Sequence, residues 1–341
     1  MGRIGILANP ASGKDVRRLV ARASVFDNQE KRAIVRRALV GATSVGANEI
    51  VYHNDAHGIV SEAVNELGEK ICATAVDSTQ MGSVLDTISA ARAMEDMGCD
   101  VVITLGGDGT NRAFCLGWQD APLIPISTGT NNVFPSLREA TIAGAAAGLI
   151  ATGVIGAEGF AQQKCIEVTI EGERGDFALI DALMTSERFV GARALLKPDQ
   201  FRSALLTRAE PAAVGITSIG GLLHPIDARA DSGLWLEFGE GGKVVNAPIA
   251  PGLYQAVPVK AHQPLSLGQT VRAVGPGTLA FDGERERTLK PEQEATLTIS
   301  RRGPRVVDVT AVMHWAAERG AFSQDSTNPP ITNTETLASE T

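Results

Sequence analysis

The segment VVITLGGDGTNR, from Val101 to Arg112, sets the strongest limit on what this chain can fold into. A run of apolar and β-branched residues goes straight into three glycines, with an aspartate between the second and third. Such a run reads as a buried strand of a parallel sheet, and the glycines read as a tight turn into a helix. The same unit recurs. RIGILA (Arg3 to Ala8) leads into NPASGK, and APLIPIS (Ala121 to Ser127) leads into TGTNN. NEIVYH (Asn48 to His53) and KICATAVD (Lys70 to Asp77) add two strands, and SVLDTISAARAMEDMG (Ser83 to Gly98) is an amphipathic helix that ends at glycine. Repeated units of this length demand a parallel sheet with right-handed crossovers.

After Glu158 the texture changes. KCIEVTIEGE, GDFALIDALMTS, GLWLEFGEG, TVRAVGPGTLAFDGERER, EATLTISRRG and PRVVDVTAV are short strand-like runs bounded by Gly or Pro. Helical periodicity survives only in a candidate stretch from Asp199 to Arg208. The expected fold class is therefore α/β plus β. A Rossmann-like parallel sheet with helices occupies residues 1–157, and a β-sandwich-like, mostly antiparallel domain occupies 158–310. AVMHWAAERGAF (Ala311 to Phe322) reads as a helix returning to the first domain, and the polar tail 323–341 as disordered. With 341 residues, 44% of them apolar, the chain has material for two cores.

Charge and composition remove several classes of function. The net charge of −8 and the lack of a basic run interleaved with aromatics argue against nucleic acid and against anionic membrane surfaces. The densest basic run, EKRAIVRRALV (Glu30 to Val40), reads as a solvated helix face. AGAAAGLIATGVIGA (Ala143 to Ala157) is shorter than the roughly 20 apolar residues of a membrane span and reads as a closely packed helix. Cys72, Cys99, Cys115 and Cys165 form no CxxC pair, and no secretory signal opens the chain. A cytoplasmic protein with reduced thiols and no membrane span is the expectation, as is an oligomer of identical chains.

In an open parallel sheet, ligands bind beyond the carboxyl ends of the strands. Three loops should meet there: Asn9 to Lys14, Gly106 to Asn111, and Ser127 to Asn132. Each is rich in Gly, Ser, Thr, Asn or Lys, and so in N–H and O–H donors that suit a phosphate. Asp108 is the odd residue in this set. A carboxylate would repel a phosphate unless it held a metal ion or took a proton from an attacking hydroxyl, and both roles belong to phosphoryl transfer. The plainer alternative is that Asp108 only caps the helix that follows. The P-loop pattern fails at Ala8 and Asp15, and the spacing of Gly106, Gly107 and Gly109 does not make a dinucleotide fingerprint.

NP-x-SG near the start, GGDGT about a hundred residues on, and the second GT loop resemble the superfamily of NAD kinases and diacylglycerol-type lipid kinases. GGDGTNRAF…PLIPISTGTNNVFP is most similar to its AcoX branch, the ATP–NAD kinase-like proteins linked to acetoin catabolism. FDGERE (Phe281 to Glu286) is similar to the DGE element those kinases carry in their β domain. The resemblance implies an ATP- and Mg²⁺-dependent transferase acting on a hydroxyl of NAD or another small molecule, and so a part in NADP biosynthesis. It places Asn9, Ser12, Gly13, Lys14, Gly106, Gly107, Gly109, Thr110, Asn111, Thr128, Gly129, Thr130, Asn131 and Asn132 around the nucleotide. Asp108, with Glu284 and Asp282, would be catalytic, Asp108 would also hold Mg²⁺, and Asp181 would meet the substrate; apart from the resemblance, helical spacing in FVGARALLKP (Phe189 to Pro198) turns Arg193 to the expected cleft as a candidate substrate contact.

Two departures keep other readings open. GTNNVF is nearer the loop of lipid kinases than that of NAD kinases, so a lipid kinase stays in view. Ile180 stands where NAD kinases carry an asparagine that binds the dinucleotide, and an isoleucine cannot supply those hydrogen bonds. That leaves room for a non-catalytic nucleotide-binding accessory protein. His53 and His57 lack a third metal ligand nearby in sequence, and His224 reads as a loop histidine.

Overall fold

The structure, a computed structural model, describes residues 2–13, 26–78, 81–129, 131–187 and 197–323. In chain order the first half contains β1 (Arg3–Ala8), α1 (Asn28–Ser44), β2 (Glu49–Tyr52), α2 (Ile59–Leu67), β3 (Cys72–Ala75), α3 (Val84–Asp96), β4 (Cys99–Gly106), α4 (Asp108–Gly117), β5 (Pro122–Ser127) and α5 (Ala140–Ala151). The second half runs through β6 (Phe160–Gln162), β7 (Cys165–Ile170), β8 (Asp176–Ala178), β9 (Asp181–Thr185), β10 (Phe201–Leu206), α6 (Ile216–Leu223), β11 (Ser232–Ala250) and β12 (Leu253–Ser266). It ends with β13 (Thr270–Val274), β14 (Gly277–Phe281), β15 (Glu284–Leu289), β16 (Glu294–Ser300), β17 (Arg305–Val307) and α7 (Val309–Glu318).

The first sheet has the order β3-β2-β1-β4-β5-β17-β6, and its first five strands are parallel. β6 and β17 join its far edge, so this sheet gathers chain from both sides of the boundary expected at 157. One face is covered by α1, α2, α5 and α7 around Ile4, Ile6, Val101 and Ile103, the other by α3 and α4. The Ala/Gly-rich α5 lies directly on α1. A Cβ on Gly144 would collide with the Ala38 carbonyl, and one on Gly41 with that of Thr141. Small residues let the two backbones touch, which accounts for so apolar a helix outside any membrane. Among the described residues no helix is long and apolar enough to cross one.

The second part is a pair of antiparallel sheets, β12-β11-β10-β9-β14-β15 and β13-β16-β7-β8. They share a core of Ile166, Val168, Met184, Leu205, Phe281 and Leu297, as the alternation of their strands requires. Two local expectations fail here. Within residues 199–208, Phe201–Leu206 form strand β10 and not a helix, because Phe201, Ala204, Leu205 and Leu206 are buried between β9 and β11. GITSIGGLL instead forms helix α6, whose glycines allow close approach; a Cβ on Gly221 would strike the backbone of Glu210 and Pro211. The expected tail, from residue 324 on, lies outside the described residues.

Candidate active site

Between β1 and β4 the strand order reverses: the chain moves outward from β1 to β2 and β3, then crosses to β4 and β5 on the other side. Loops leaving two such strands diverge and open a crevice. The Asn9 and GGDGT loops leave this switch point, and the loop after β5 lies beside them. Asn9 Nδ2 donates to Thr110 Oγ1 at 2.8 Å. The Ser12 and Thr128 hydroxyls stand 2.8 Å apart, and the Thr128 N–H donates to the Gly106 carbonyl at 3.2 Å. A Cβ on Gly107 would come within 2.7 Å of Asn132 Oδ1. Side chains and backbone thus lace the three loops into one surface.

The first loop has an anchor that a solvated-face reading of EKRAIVRRALV misses. Arg32, Arg36 and Arg37 do lie on the surface, paired with Glu62, Glu66 and Glu30. Lys31 is fully buried. Its Nζ donates to the carbonyls of Asn9 at 2.8 Å, Pro10 at 3.1 Å and Ser12 at 2.6 Å. A buried ammonium needs such partners to offset its lost hydration. The loop's own N–H groups are engaged as well, that of Asn9 with the Leu105 carbonyl, that of Ala11 with Asn9 Oδ1 and that of Ser12 with the Asn9 carbonyl, so Lys31 and these bonds together fix its shape. The sequence does carry the signal: Lys31 shares the spacing of Ile34, Val35, Ala38, Leu39 and Ala42, the apolar stripe of α1.

Asp108 begins α4 and keeps part of its surface open. It does not cap its own helix. Its carboxyl reaches the next loop and accepts the N–H of Phe134 at 2.8 Å and of Val133 at 3.1 Å. Burial pushes its pKa up to about 7, against those two N–H groups, and the charge of Asp282 pushes the same way.

From the β side, Asp282 follows β14 in the left-handed region, with φ 50°. Its carboxyl accepts N–H bonds from Leu179, Ile180 and Asp181 at 2.9, 2.7 and 3.2 Å. Burial raises its pKa, opposed by the Arg112 guanidinium and those N–H groups. Asp181 is held well above the usual carboxylate range by burial first, then by the charges of Asp282 and Asp108. Glu284 reaches across to the GGDGT loop, where a Cβ on Gly109 would lie 3.0 Å from its Oε1. Arg112 ties the halves together, donating from Nη2 to Asp176 at 2.8 Å and from Nε to the Phe177 carbonyl at 2.7 Å, with its guanidinium 5.1 Å from the Phe281 ring centre.

Several expected nucleotide contacts turn inward. Asn111 is fully buried; its Oδ1 accepts from Thr104 Oγ1 at 2.7 Å and its Nδ2 donates to the Gly107 carbonyl at 2.9 Å. Its amide fastens the turn to β4 and does not face the crevice. The Thr128 hydroxyl is likewise spent on Ser12, and Asn132 Nδ2 on Ser127 Oγ at 2.8 Å. Asn131 is exposed, and the Gly129 carbonyl accepts from Ser127 Oγ at 2.9 Å. Gly13, with φ 77°, closes the described part of the first loop. Lys14, Thr130 and Arg193 lie outside the described residues. Ile180 packs with Phe114 and Leu179, so its side chain belongs to the core and only its N–H meets the site. His53 bonds to Ser78 Oγ at 2.8 Å through Nδ1, and burial lowers its pKa.

No cluster of three or more His, Cys, Asp or Glu side chains fit to hold a metal occurs among the described residues. A metal cage made of protein alone therefore does not fit. Mg²⁺ held by one carboxylate and by phosphate oxygens does, because this ion keeps most of its shell from water and substrate.

Comparison with known proteins agrees with this geometry. Residues 4–154 match the ATP-NAD kinase N-terminal domain, and residues 164–302 match the acetoin catabolism protein X C-terminal domain. Together they define an ATP-NAD kinase-like fold, with the switch-point loop inside the first matched range. Acetoin catabolism protein X of Cupriavidus necator is 40% identical over 329 residues, covering 92% of each chain. The chain belongs to the acetoin catabolism protein X family. Among solved structures, yeast NADH kinase complexed with NADH is similar at TM-score 0.47 and 12% identity, covering 98% of this chain and 90% of that one. A diacylglycerol kinase from Bacillus anthracis str. Sterne is similar at TM-score 0.42 and 12% identity, covering 89% and 96%.

Proposed function

We propose that this protein transfers a phosphoryl group from ATP to a hydroxyl of a small molecule, with NAD the acceptor its class suggests. The observation that carries the reading is the position of Asp108, a part-exposed acid at the junction of three interlaced loops, with Glu284 beside Gly109 of the same turn. In this reading residues 1–157 with the returning helix form the nucleotide side, and residues 158–310 form the acceptor side. The relative's name supports acetoin catabolism as the setting and, with ATP as donor, the cytoplasm as the compartment.

The Gly13 end of the first loop and the GGDGT backbone hold phosphate oxygens, since glycine lets main-chain amides approach an anion. Asp108 holds Mg²⁺, which supplies charge neutralisation on the transferring group. Glu284, beside Gly109, takes the proton of the attacking hydroxyl. Asp282 does not act on the substrate; it fixes the turn 179–181 that carries Asp181 to the acceptor.

Mg·ATP with a panel of NAD, NADH, sugars, polyols and extracted lipids, read by phosphorylated product, tests the reading. A product from NAD or another soluble acceptor supports it. A product from lipid alone replaces it with a lipid kinase. Saturable Mg·ATP binding without any product replaces it with a nucleotide-binding accessory protein.

A further inference from the structure

Two polar atoms beside Asp108 are left unsatisfied. Asp181 Oδ1 and Arg208 Nε are buried and have no hydrogen-bond partner among the described residues. Buried polar groups are nearly always bonded, so such a pair at the wall of a crevice marks where a ligand or ordered water belongs. Asp181 opens β9 and pairs in register with Leu206 of β10. Arg208 follows just past β10, beyond a bend at Thr207. The charge of Asp108 acts on both groups, so both border the same acid, where one small molecule can meet both.

The rest of the Arg208 guanidinium is loosely held. Nη2 donates to Gln163 Oε1 at 3.1 Å. Nη1 is 3.5 Å from the Val133 carbonyl and 3.6 Å from Glu210 Oε1, longer than good bonds. The guanidinium stands 6.0 Å from the Phe134 ring centre. Val133 also donates its N–H to Asp108, so a single residue separates this cation from the proposed metal-holding acid. A guanidinium presents a planar fork of N–H groups that matches carboxylate or phosphate oxygens, whereas a carboxyl oxygen such as Asp181 Oδ1 accepts from a hydroxyl.

We infer that Arg208 and Asp181 select the acceptor, and that this acceptor is a hydroxyl compound bearing an anionic group, carboxylate or phosphate, near the hydroxyl. Arg208 holds the anion while Asp181 accepts a hydrogen bond from a hydroxyl of the same molecule. A neutral polyol fills only the Asp181 half and leaves Arg208 Nε unbonded. The inference rests on the kinase reading for the fate of the acceptor, but recognition itself is measurable without transfer.

Isothermal titration calorimetry on the full chain, with D-glycerate, glycerol 3-phosphate and glycerol as probes, tests it. At least one anion is expected to bind saturably and glycerol about tenfold or more weakly, and the two anions separate carboxylate from phosphate recognition. Arg208→Gln should bring the favoured anion down to the level of glycerol, and Arg208→Lys, which keeps the charge, should restore part of the preference. The restored preference separates recognition from a folding defect. Equal affinities for glycerol and both anions, no saturable binding of either anion, or a preference that survives in Arg208→Gln would each overturn the inference. Labelled Mg·ATP in parallel reports on the kinase reading alone: Arg208-dependent anion binding without transfer upholds this inference and removes that one.

Discussion

The loop after β1 and the loop after β5 border the same crevice, yet opposite charges hold them. Lys31 gathers the carbonyls of Asn9, Pro10 and Ser12 and so pins that loop from behind. Asp108 gathers the N–H groups of Val133 and Phe134, so the end of the other loop has spent its donors on a side chain of the protein. In the proposed reading, phosphate meets the Gly13 end of the first loop and the GGDGT turn, while the loop after β5 sets the position of the acid. A buried cation fixes one loop and a carboxyl holds the other, and that reading separates binding from chemistry on this difference.

The sharpest way to break this division is Asp108→Asn. An asparagine keeps an acceptor for the Phe134 N–H, so the fold should survive, but the charge is gone. Transfer from labelled ATP should fall by about 10³-fold with little change in denaturant midpoint. Unchanged turnover would remove Asp108 from the chemistry and leave it as a loop clamp.

Lys31→Met is the matching cut on the other loop. Methionine fills the space but leaves three inward carbonyls without a donor, at a cost of about 3 kcal/mol in urea unfolding. If Lys31 positions the phosphate loop, the KM for Mg·ATP rises about tenfold while kcat stays within a few-fold, and Lys31→Arg recovers part of the loss. An equal fall in kcat with KM unchanged would place Lys31 in the transition state and dissolve the contrast.

The pH dependence sharpens the comparison from the acid side. Burial raises the Asp108 pKa to about 7, so the folded protein holds this proton to higher pH than the unfolded chain. Stability from this group is full below the ordinary carboxylate range and is lost as pH rises towards 7. Activity needs the ionised form, so kcat/KM should fall about tenfold for each pH unit below 7. Stability and activity then run in opposite directions through that window. A flat rate profile from about pH 5 to about pH 8 contradicts the role assigned to Asp108.

Much of this arrangement is legible in the amino-acid sequence. The strands before the three loops and the helices at α3, α5 and α7 announce themselves through periodicity, and GGDGT marks the switch point. What stays hidden depends on tertiary partners. Residues 199–208 alternate too weakly to be told from a helix, and only burial on both faces makes Phe201–Leu206 a strand. Arg208 lies just past that strand, in a stretch with no motif. The amide of Asn111 has the same composition whether it faces a phosphate or Thr104, and only the fold decides. Lys31 is the exception, since its place on the apolar stripe of α1 is visible in the sequence and is masked only by the surface charges around it.

The smallest expected effect probes the link between the two loops. Ser12 and Thr128 meet hydroxyl to hydroxyl at 2.8 Å, a side-chain hydrogen bond that joins the first loop directly to the third. Ser12→Ala should cost about 1 kcal/mol, as should Thr128→Ala, because each leaves one hydroxyl or its backbone neighbour less well bonded. The double variant should cost less than the sum, with a coupling of about 0.5–1 kcal/mol. If the loops act as one surface, the same coupling appears in Mg·ATP affinity. Additive losses in affinity, with coupling confined to unfolding, would mean that the two anchors hold their loops independently and that the contact between them serves the fold alone.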